Sequence, residues 1–466
     1  MPINATSSLL TRWVSSEYYF PLALGIVALA VIRTYAQGRR TTRERDLHDR
    51  TVLITGAFTP LGLTLVEALA ERGARIIALS DAPGPAASLV SLIRQRTANE
   101  EIFAEECDLS SRASIVEFAR QMLTRLSDSG ADRPARLDAI VFAHEYAYGQ
   151  DGDAGSRASF LLTTLLLPGL ITSPSDRDIR ILFIVNPLYA AQSTKEGARA
   201  RRMVVLARHL QRVLDALPTE APVPDAKDVQ PKPEKPMQGT SNISAVSVSP
   251  GISRTDTIAP MLGAVHFAPG GFSNIGLVIY ILLQPLLRIF AKTPSNAIQT
   301  VLHALFLPRS ISSSAHSRST TPTAKSRSRS RDRDSASSAE DTEILLPGAL
   351  YADCGILPFP PDADVHSEPA GVQVWESLER ALKTWAVQEE EEAHRSRAPS
   401  VDPSVTSTPA ATDGGISRVA SDADVASLPG GLKKRKTTKD AKVRWADETH
   451  ERDSSNRHAN GNGTAD

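Results

Sequence analysis

The sequence predicts an α/β fold built on a doubly wound parallel sheet, and three observations carry that prediction. Apolar runs recur at Val52–Ile54, Arg75–Leu79, Glu101–Cys107, Leu137–Phe142, Ile179–Val185 and Ile243–Val248. Most are continuous rather than alternating, as strands covered on both faces are. Segments with apolar residues at helical spacing lie between them. Finally, Gly56 and Gly62 punctuate the first strand-to-helix turn, within Thr51-Val-Leu-Ile-Thr-Gly-Ala-Phe-Thr-Pro-Leu-Gly62. Such a turn aims backbone N–H groups and a helix N-terminus at a pyrophosphate. Many parallel sheets also use glycine at these turns, so the turn alone leaves both readings open.

The helices follow in order. Leu65, Val66 and Leu69 share one face, and Gly73 stands where a helix C′ glycine belongs. Ala87–Arg96 is a second helix. Ser111–Leu126 carries Ile115, Phe118, Ala119, Met122 and Leu126 at helical spacing, and Met203–Leu217 carries Leu206, Leu210, Val213 and Leu214. Asn296–Phe306 is helical. A last helix within Ser367–Ala386 presents Val374, Trp375, Leu378, Leu382 and Trp385.

The 466 residues exceed what one core uses, and the excess is readable. The expected organisation is a short segment 1–17, a transmembrane anchor 18–35, a basic linker 36–49 and a Rossmann-type domain 50–308 with a loop insertion at 218–240. A disordered Ser/Arg-rich insertion at 309–343 follows. Residues 344–387 complete the domain, and 388–466 form a disordered tail. The insertion and tail lack apolar side chains to offset ordering entropy. With 52 Lys and Arg against 53 Asp and Glu, the net charge of −1 implies no polyelectrolyte partner, and no nucleic acid is expected. The Arg-Ser repeats read as a phosphorylatable loop, and protein partners are expected through these segments. The basic knot Lys433–Lys436 resembles an import signal, although a solvated charge run accounts for it better beside a membrane anchor. Cys107 and Cys354 cannot form a zinc site by themselves and fit a reducing compartment as packing residues.

Tyr18–Ile32 is uncharged and approaches the length a bilayer requires, with Arg33, Arg39, Arg40, Arg43 and Arg45 after it. The positive-inside rule then predicts a single-pass protein with its domain in the cytosol. The endoplasmic reticulum is the first expectation and the mitochondrial outer membrane the second. A short buried or interfacial helix is the competing reading. Gly276–Phe290 is strongly apolar but interrupted by Pro285 and Arg288, which argues against a second span. It reads either as a lid resting on the membrane face or as a covered core helix.

Thr55-Gly56-x-x-x-Pro60-Leu61-Gly62 resembles the TGxxxGxG turn of the short-chain dehydrogenase/reductase superfamily, with proline for the middle glycine. Cys107-Asp108-Leu109 resembles the family's adenine-contacting acidic site. Phe160–Leu170 resembles its long central helix, and Ser247-Val-Ser-Pro-Gly-Ile-Ser-Arg-Thr255 its sixth strand and Pro-Gly…Thr loop. Pro285–Pro294, Tyr351–Gly355 and Trp375 resemble the retinol-dehydrogenase-like branch, of which the chain looks like a divergent fungal-type member. The resemblance implies cofactor contacts at Thr55, Gly56, Gly62, Asp81, Asp108, Leu109, Pro250, Gly251 and Thr255. Pro60 removes an amide and adds bulk, so weak binding is implied. Asp81, after the second strand, repels a 2′-phosphate, which favours NAD over NADP.

The resemblance also implies an Asn, Ser, Tyr and Lys that carry hydride-transfer chemistry, and the chain departs at each. The positions fall on Gly155, Asn186, Glu196 and Ala200, and Phe142-Ala-His-Glu145 replaces Asn-Asn-Ala-Gly. No Tyr-x-x-x-Lys lies between Asn186 and Pro218. No catalytic residue and no metal ligand is therefore assigned. His144, Tyr146 and Tyr148 form a conceivable substitute acid/base group near the sheet edge, against the plainer reading as loop residues. The expected function is a membrane-anchored, catalytically degenerate relative that senses a dinucleotide or acts as a scaffold. The alternative is an active NAD-dependent oxidoreductase on a lipophilic small molecule such as a retinoid, steroid or lipid. A third class is an adaptor working through its tails.

Overall fold

Eight strands pair into one sheet among the described residues: β1 (Thr51–Thr55), β2 (Arg75–Ser80), β3 (Ile102–Glu106), β4 (Ala139–Phe142), β5 (Ile179–Ile184), β6 (Ile243–Ser249), β7 (Leu350–Ala352) and β8 (Gly355–Ile356). Their order is β3-β2-β1-β4-β5-β6-β7-β8, parallel except for the β7–β8 pair. The order reverses between β1 and β4, so a crevice opens beyond the carboxyl ends of those two strands. The doubly wound sheet expected from the sequence is present. This computed structural model describes residues 19–127, 136–149, 153–174, 177–191, 193–217, 241–265, 271–309, 343–359 and 364–397. The expectations for 1–17, for 218–240, for most of 309–343, and for the tail from 398, including Lys433–Lys436, lie outside the described residues.

Helices cover both faces. Among the described residues the first helix is α1 (Tyr19–Ala36), and α2 (Pro60–Ala70) and α3 (Pro83–Thr97) follow β1 and β2. Next come α4 (Arg112–Ser127), α5 (Ala154–Ile171), α6 (Lys195–Ala216), α7 (Asn274–Phe290), α8 (Pro294–Phe306) and α9 (Glu368–Arg397). Leu65 and Leu69 of α2, Val90 of α3 and Val301 of α8 pack on one sheet face. Phe118 of α4, Leu162 of α5, Met203 of α6 and Trp385 of α9 pack on the other. Each large side chain so buried contributes roughly 1.5–3 kcal/mol, which is why the apolar periodicity is legible. Phe160 and Trp375 meet edge to face at 4.8 Å, fastening α9 to α5.

One boundary differs from expectation. The last helix does not end near Ala386, with a tail from 388, but continues to Arg397. Glu389 explains part of this, because its carboxylate accepts the Arg112 amide at 2.5 Å and so sits on the N-terminus of α4. An acidic run that looks like tail composition is here a helix-terminus ligand.

α7 is one continuous helix despite Pro285, and only Gly276 and Leu287 are buried. It is therefore not a covered core helix. Ile275, Leu282, Leu286 and Phe290 are exposed along it. Its neighbour is α1, which has no buried residue. Arg33 donates to the Arg288 carbonyl, and Gln37 donates to Ala291 at 2.9 Å. The Gln37 side-chain oxygen accepts from Thr293 and Asn296 at 3.0 and 2.8 Å. The basic linker is thus tied to the domain rather than free. Further along it, Arg45 pairs with Asp178 at 3.2 Å, and Leu47 is buried.

Both cysteines are free and buried. Burial pushes the Cys107 thiol up to about 12 and that of Cys354 up to about 11. Thiolate is the reactive form, so neither should react with iodoacetamide at pH 8 in the native protein, and both should react in denaturant. Mass spectrometry of the alkylated protein checks this; rapid native labelling of either residue would contradict it.

Candidate functional site

The site is built at the switch point. Gly56 ends β1 with φ +64°, and a Cβ there would lie 2.6 Å from the His144 amide nitrogen. The β1 turn and the turn after β4 therefore touch backbone to backbone. At Gly62 a Cβ would lie 2.1 Å from the Gly56 carbonyl oxygen. Both glycines are required by this close approach of chain to chain. Thr59 caps α2, its hydroxyl accepting the Gly62 amide at 3.1 Å, and Pro60 takes the first helical position.

The residues after β4 are not loop residues without partners. His144, 4% exposed, sits between Thr55 Oγ1 on Nδ1 at 2.7 Å and the Gly155 carbonyl on Nε2 at 3.2 Å. Burial lowers its pKa despite the nearby Glu145. The two contacts suit a neutral ring that accepts at Nδ1 and donates at Nε2. Glu145, 3% exposed, accepts from the Ser159 hydroxyl at 3.2 Å and faces Arg199 Nε at 3.6 Å. Arg199 also reaches Glu196 at 2.9 Å and donates to the Ala147 carbonyl at 3.2 Å. One arginine thus bridges two carboxylates, with both pairs largely out of solvent.

Tyr146 and Tyr148 diverge. The Tyr146 hydroxyl donates to the Gly251 carbonyl at 2.7 Å, and burial raises its pKa. Tyr148 instead lines a cleft of about 550 Å³, together with Lys195, Glu196, Met261, Leu262 and Ser273. The sheet-edge placement read from the sequence for these three residues therefore needs correcting. They lie beyond β4 in the centre of the sheet, not at an edge, and only Tyr148 faces open space.

The sequence-assigned positions are placed as follows. Thr55 is fully buried and held by His144. Asp81 is exposed beyond β2. The Asp108 carboxylate accepts the Ser110 amide and hydroxyl at 2.8 and 2.7 Å, and Leu109 packs on the apolar core. Pro250 is buried, and Gly251 has φ +95° beneath the Lys292 side chain. The Thr255 hydroxyl donates to Asp256 at 2.9 Å. Asn186, at the family's serine position, donates to the Tyr146 carbonyl at 3.0 Å and accepts the Leu188 amide at 3.0 Å. Ala200 is buried, and Glu196 reaches the cleft wall while paired with Arg199.

Two features escape the sequence reading. Arg199 and Glu145 are far apart in the chain, so their pairing has no local signal. The hint is Arg199 itself, four residues before Met203 and in register with the buried stripe of α6. Asp256, 3% exposed after β6, carries no signal beyond its place beside Thr255.

The family profile described as short chain dehydrogenase matches residues 50–133, which span β1 through α4. An uncharacterized oxidoreductase of Saccharomyces cerevisiae is 25% identical over 347 residues, covering 66% of this chain and 81% of its own. Retinol dehydrogenase 12 of Homo sapiens is 26% identical over 311 residues, covering 64% and 84%. Over residues 50–133 the chain is similar to the short-chain dehydrogenase/reductase superfamily, and proteins of the retinol dehydrogenase type are among its relatives. A short chain dehydrogenase from Shigella flexneri aligns structurally over 56% of this chain and 87% of its own, at 17% identity and a TM-score of 0.36.

The fold implies a dinucleotide beyond β1 and β4, and the residues present fit it poorly. Pro60 offers no amide, and the Gly62 amide is taken by Thr59. Moreover, the turn that carries the buried Asp256 packs against α2, where the Leu61 amide acts to lower the carboxyl pKa.

Proposed function

We propose that this chain is a membrane-associated short-chain dehydrogenase relative that has lost alcohol and ketone turnover. In this reading it holds a lipophilic small molecule in the cleft and a dinucleotide weakly, in a sensing or scaffold role. The observation that carries it is the Glu145–Arg199–Glu196 bridge with neutral His144 and doubly bonded Asn186. These groups hold the protein together, leaving no acid/base group of the usual set to meet a substrate. Each positioned proton donor or acceptor typically contributes about 10²–10⁴-fold in rate. Asp81 supports NAD(H) over NADP(H), because a carboxylate repels a 2′-phosphate. The apolar α1–α7 surface beside the cleft supports a lipophilic ligand reached from the bilayer.

A steady-state assay with NADH and NADPH against retinoid, steroid and long-chain aldehyde panels tests the reading, and turnover should stay at background. One observation favours the runner-up, an active NAD-dependent oxidoreductase: Tyr148 and Lys195 share the cleft. Turnover with an ordinary kcat that falls about 100-fold or more in Tyr148→Phe would establish it and end the proposal.

A further inference from the structure

We propose that Asp256 is an internal occupant of the phosphate position, its carboxylate standing at the N-terminus of α2 where a dinucleotide's pyrophosphate would bind. This rests on the dinucleotide reading of the β1–α2 turn, and not on the loss of chemistry.

The first amides of a helix have no acceptor within it and bind anions. Along this first turn the options are few. Proline removes one amide, and the Thr59 hydroxyl takes that of Gly62. Leu61 remains; its amide acts to lower the pKa of the Asp256 carboxylate, which lies on the turn packed against this helix. The π-type turn Arg254–Ile258 that carries Asp256 packs directly on α2. Ser253 and Thr255 donate their hydroxyls to Asp256 Oδ2 at 3.1 and 2.9 Å, which fixes the carboxylate's direction. The turn is also held from the β4 side. The Tyr148 amide donates to the Asp256 carbonyl at 3.0 Å, and Tyr146 donates to Gly251.

A carboxylate and a phosphate carry like charge and compete for one helix terminus. Burial raises the Asp256 pKa, opposed by Thr255, Ser253 and the Leu61 amide. The group is held there against its preference for water, as an occluding group is and an ordinary surface aspartate is not. Thr255 is engaged by the same contact, so the hydroxyl expected at the nicotinamide end is turned inward until the Ser253–Ile258 turn moves. Dinucleotide entry and movement of this turn are then one event.

NADH fluorescence titration of the full-length protein in detergent micelles tests this, comparing wild type, Asp256→Ser and Asp256→Asn, with Gly56→Trp as the blocked control. Asp256→Ser should bind NADH more tightly than wild type by roughly tenfold or more, the effect of removing one like charge at a helix terminus. Asp256→Asn should move the same way by a smaller factor, and it carries the test if the serine variant fails to fold by circular dichroism. Equal affinity of wild type and folded Asp256 variants overturns the role of Asp256 alone. No NADH binding by any folded variant overturns the dinucleotide reading of the turn, and this proposal with it.

Discussion

Replacing Arg199 with methionine lowers stability by about 3–5 kcal/mol, the cost of leaving a buried carboxylate without its partner. Arg199 is 3% exposed and faces Glu145, also 3% exposed, and Glu196. Among the described residues, removing the guanidinium leaves Glu145 with hydroxyl donors from Ser159 and, at the longer distance of 3.5 Å, Ser156, and with His144 Nε2 at 3.9 Å. The double variant Arg199→Met/Glu145→Gln removes the orphaned charge and recovers a large part of the loss, as pairs in one network do. Arg202 supplies the contrast. It pairs with Asp153 at 2.7 Å, with the aspartate side chain 57% exposed. Arg202→Met should therefore change stability by about 0–1 kcal/mol. Urea midpoints for the four proteins decide the matter. An Arg199→Met loss no greater than that of Arg202→Met would show that the bridge is not structural. The view that these side chains serve the fold rather than a substrate would then fail with it.

The same cluster shows where sequence reasoning stops. The β1–α2 unit is legible because each of its features is local: an apolar triplet, two turn glycines and a helical stripe closed by Gly73. The six longer strands are legible for the same reason, with ends displaced by a residue or two. β7 and β8 are not legible as strands, since three and two residues carry no periodicity. Their pairing comes from β6, which accepts Leu350–Ala352 as its neighbour. At the site, the sequence locates the departures at Gly155, Asn186, Glu196 and Ala200 but not what fills the space. Glu145 and Arg199 meet only because β4 and α6 converge at the carboxyl end of the sheet. The 3.6-residue period of α6 marks Arg199 as inward-facing, and no pattern names its partner.

In the membrane-associated reading proposed above, the full-length protein should stay with membranes through a carbonate wash, and two separate groups of substitutions should be needed to make it soluble. α1 is 18 residues long, about 27 Å at 1.5 Å per residue, close to a hydrocarbon core. It has no buried residue, and its C-terminal end is pinned to the start of α8 through Gln37. α7 lies against it with Ile275, Leu282 and Leu286 at 73%, 73% and 52% exposure. In the proposed membrane-associated reading α1 is the span, and the apolar helix α7 beside it is expected at the bilayer interface. Placing arginines at Leu24 and Ala28 costs about 2.5–3.5 kcal/mol each on translocon-based scales. That variant should become carbonate-extractable yet still cosediment with anionic vesicles through α7. Adding Ile275→Ser, Leu282→Ser and Leu286→Ser removes roughly 1.5–3 kcal/mol of apolar transfer energy per residue, or about three orders of magnitude or more in partitioning. The combined variant should stay in the supernatant with an unchanged circular dichroism spectrum, because none of these side chains packs in the core. α7 also bears on the cleft, since a Cβ on Gly276 would lie 1.7 Å from the Leu262 carbonyl oxygen in the cleft wall. Gly276→Ala must therefore shift the helix against that wall, changing lipophilic-ligand affinity while membrane binding is retained. Complete release of the wild-type protein by carbonate would remove the anchor. Solubility after the α1 arginines alone would remove the interfacial role of α7.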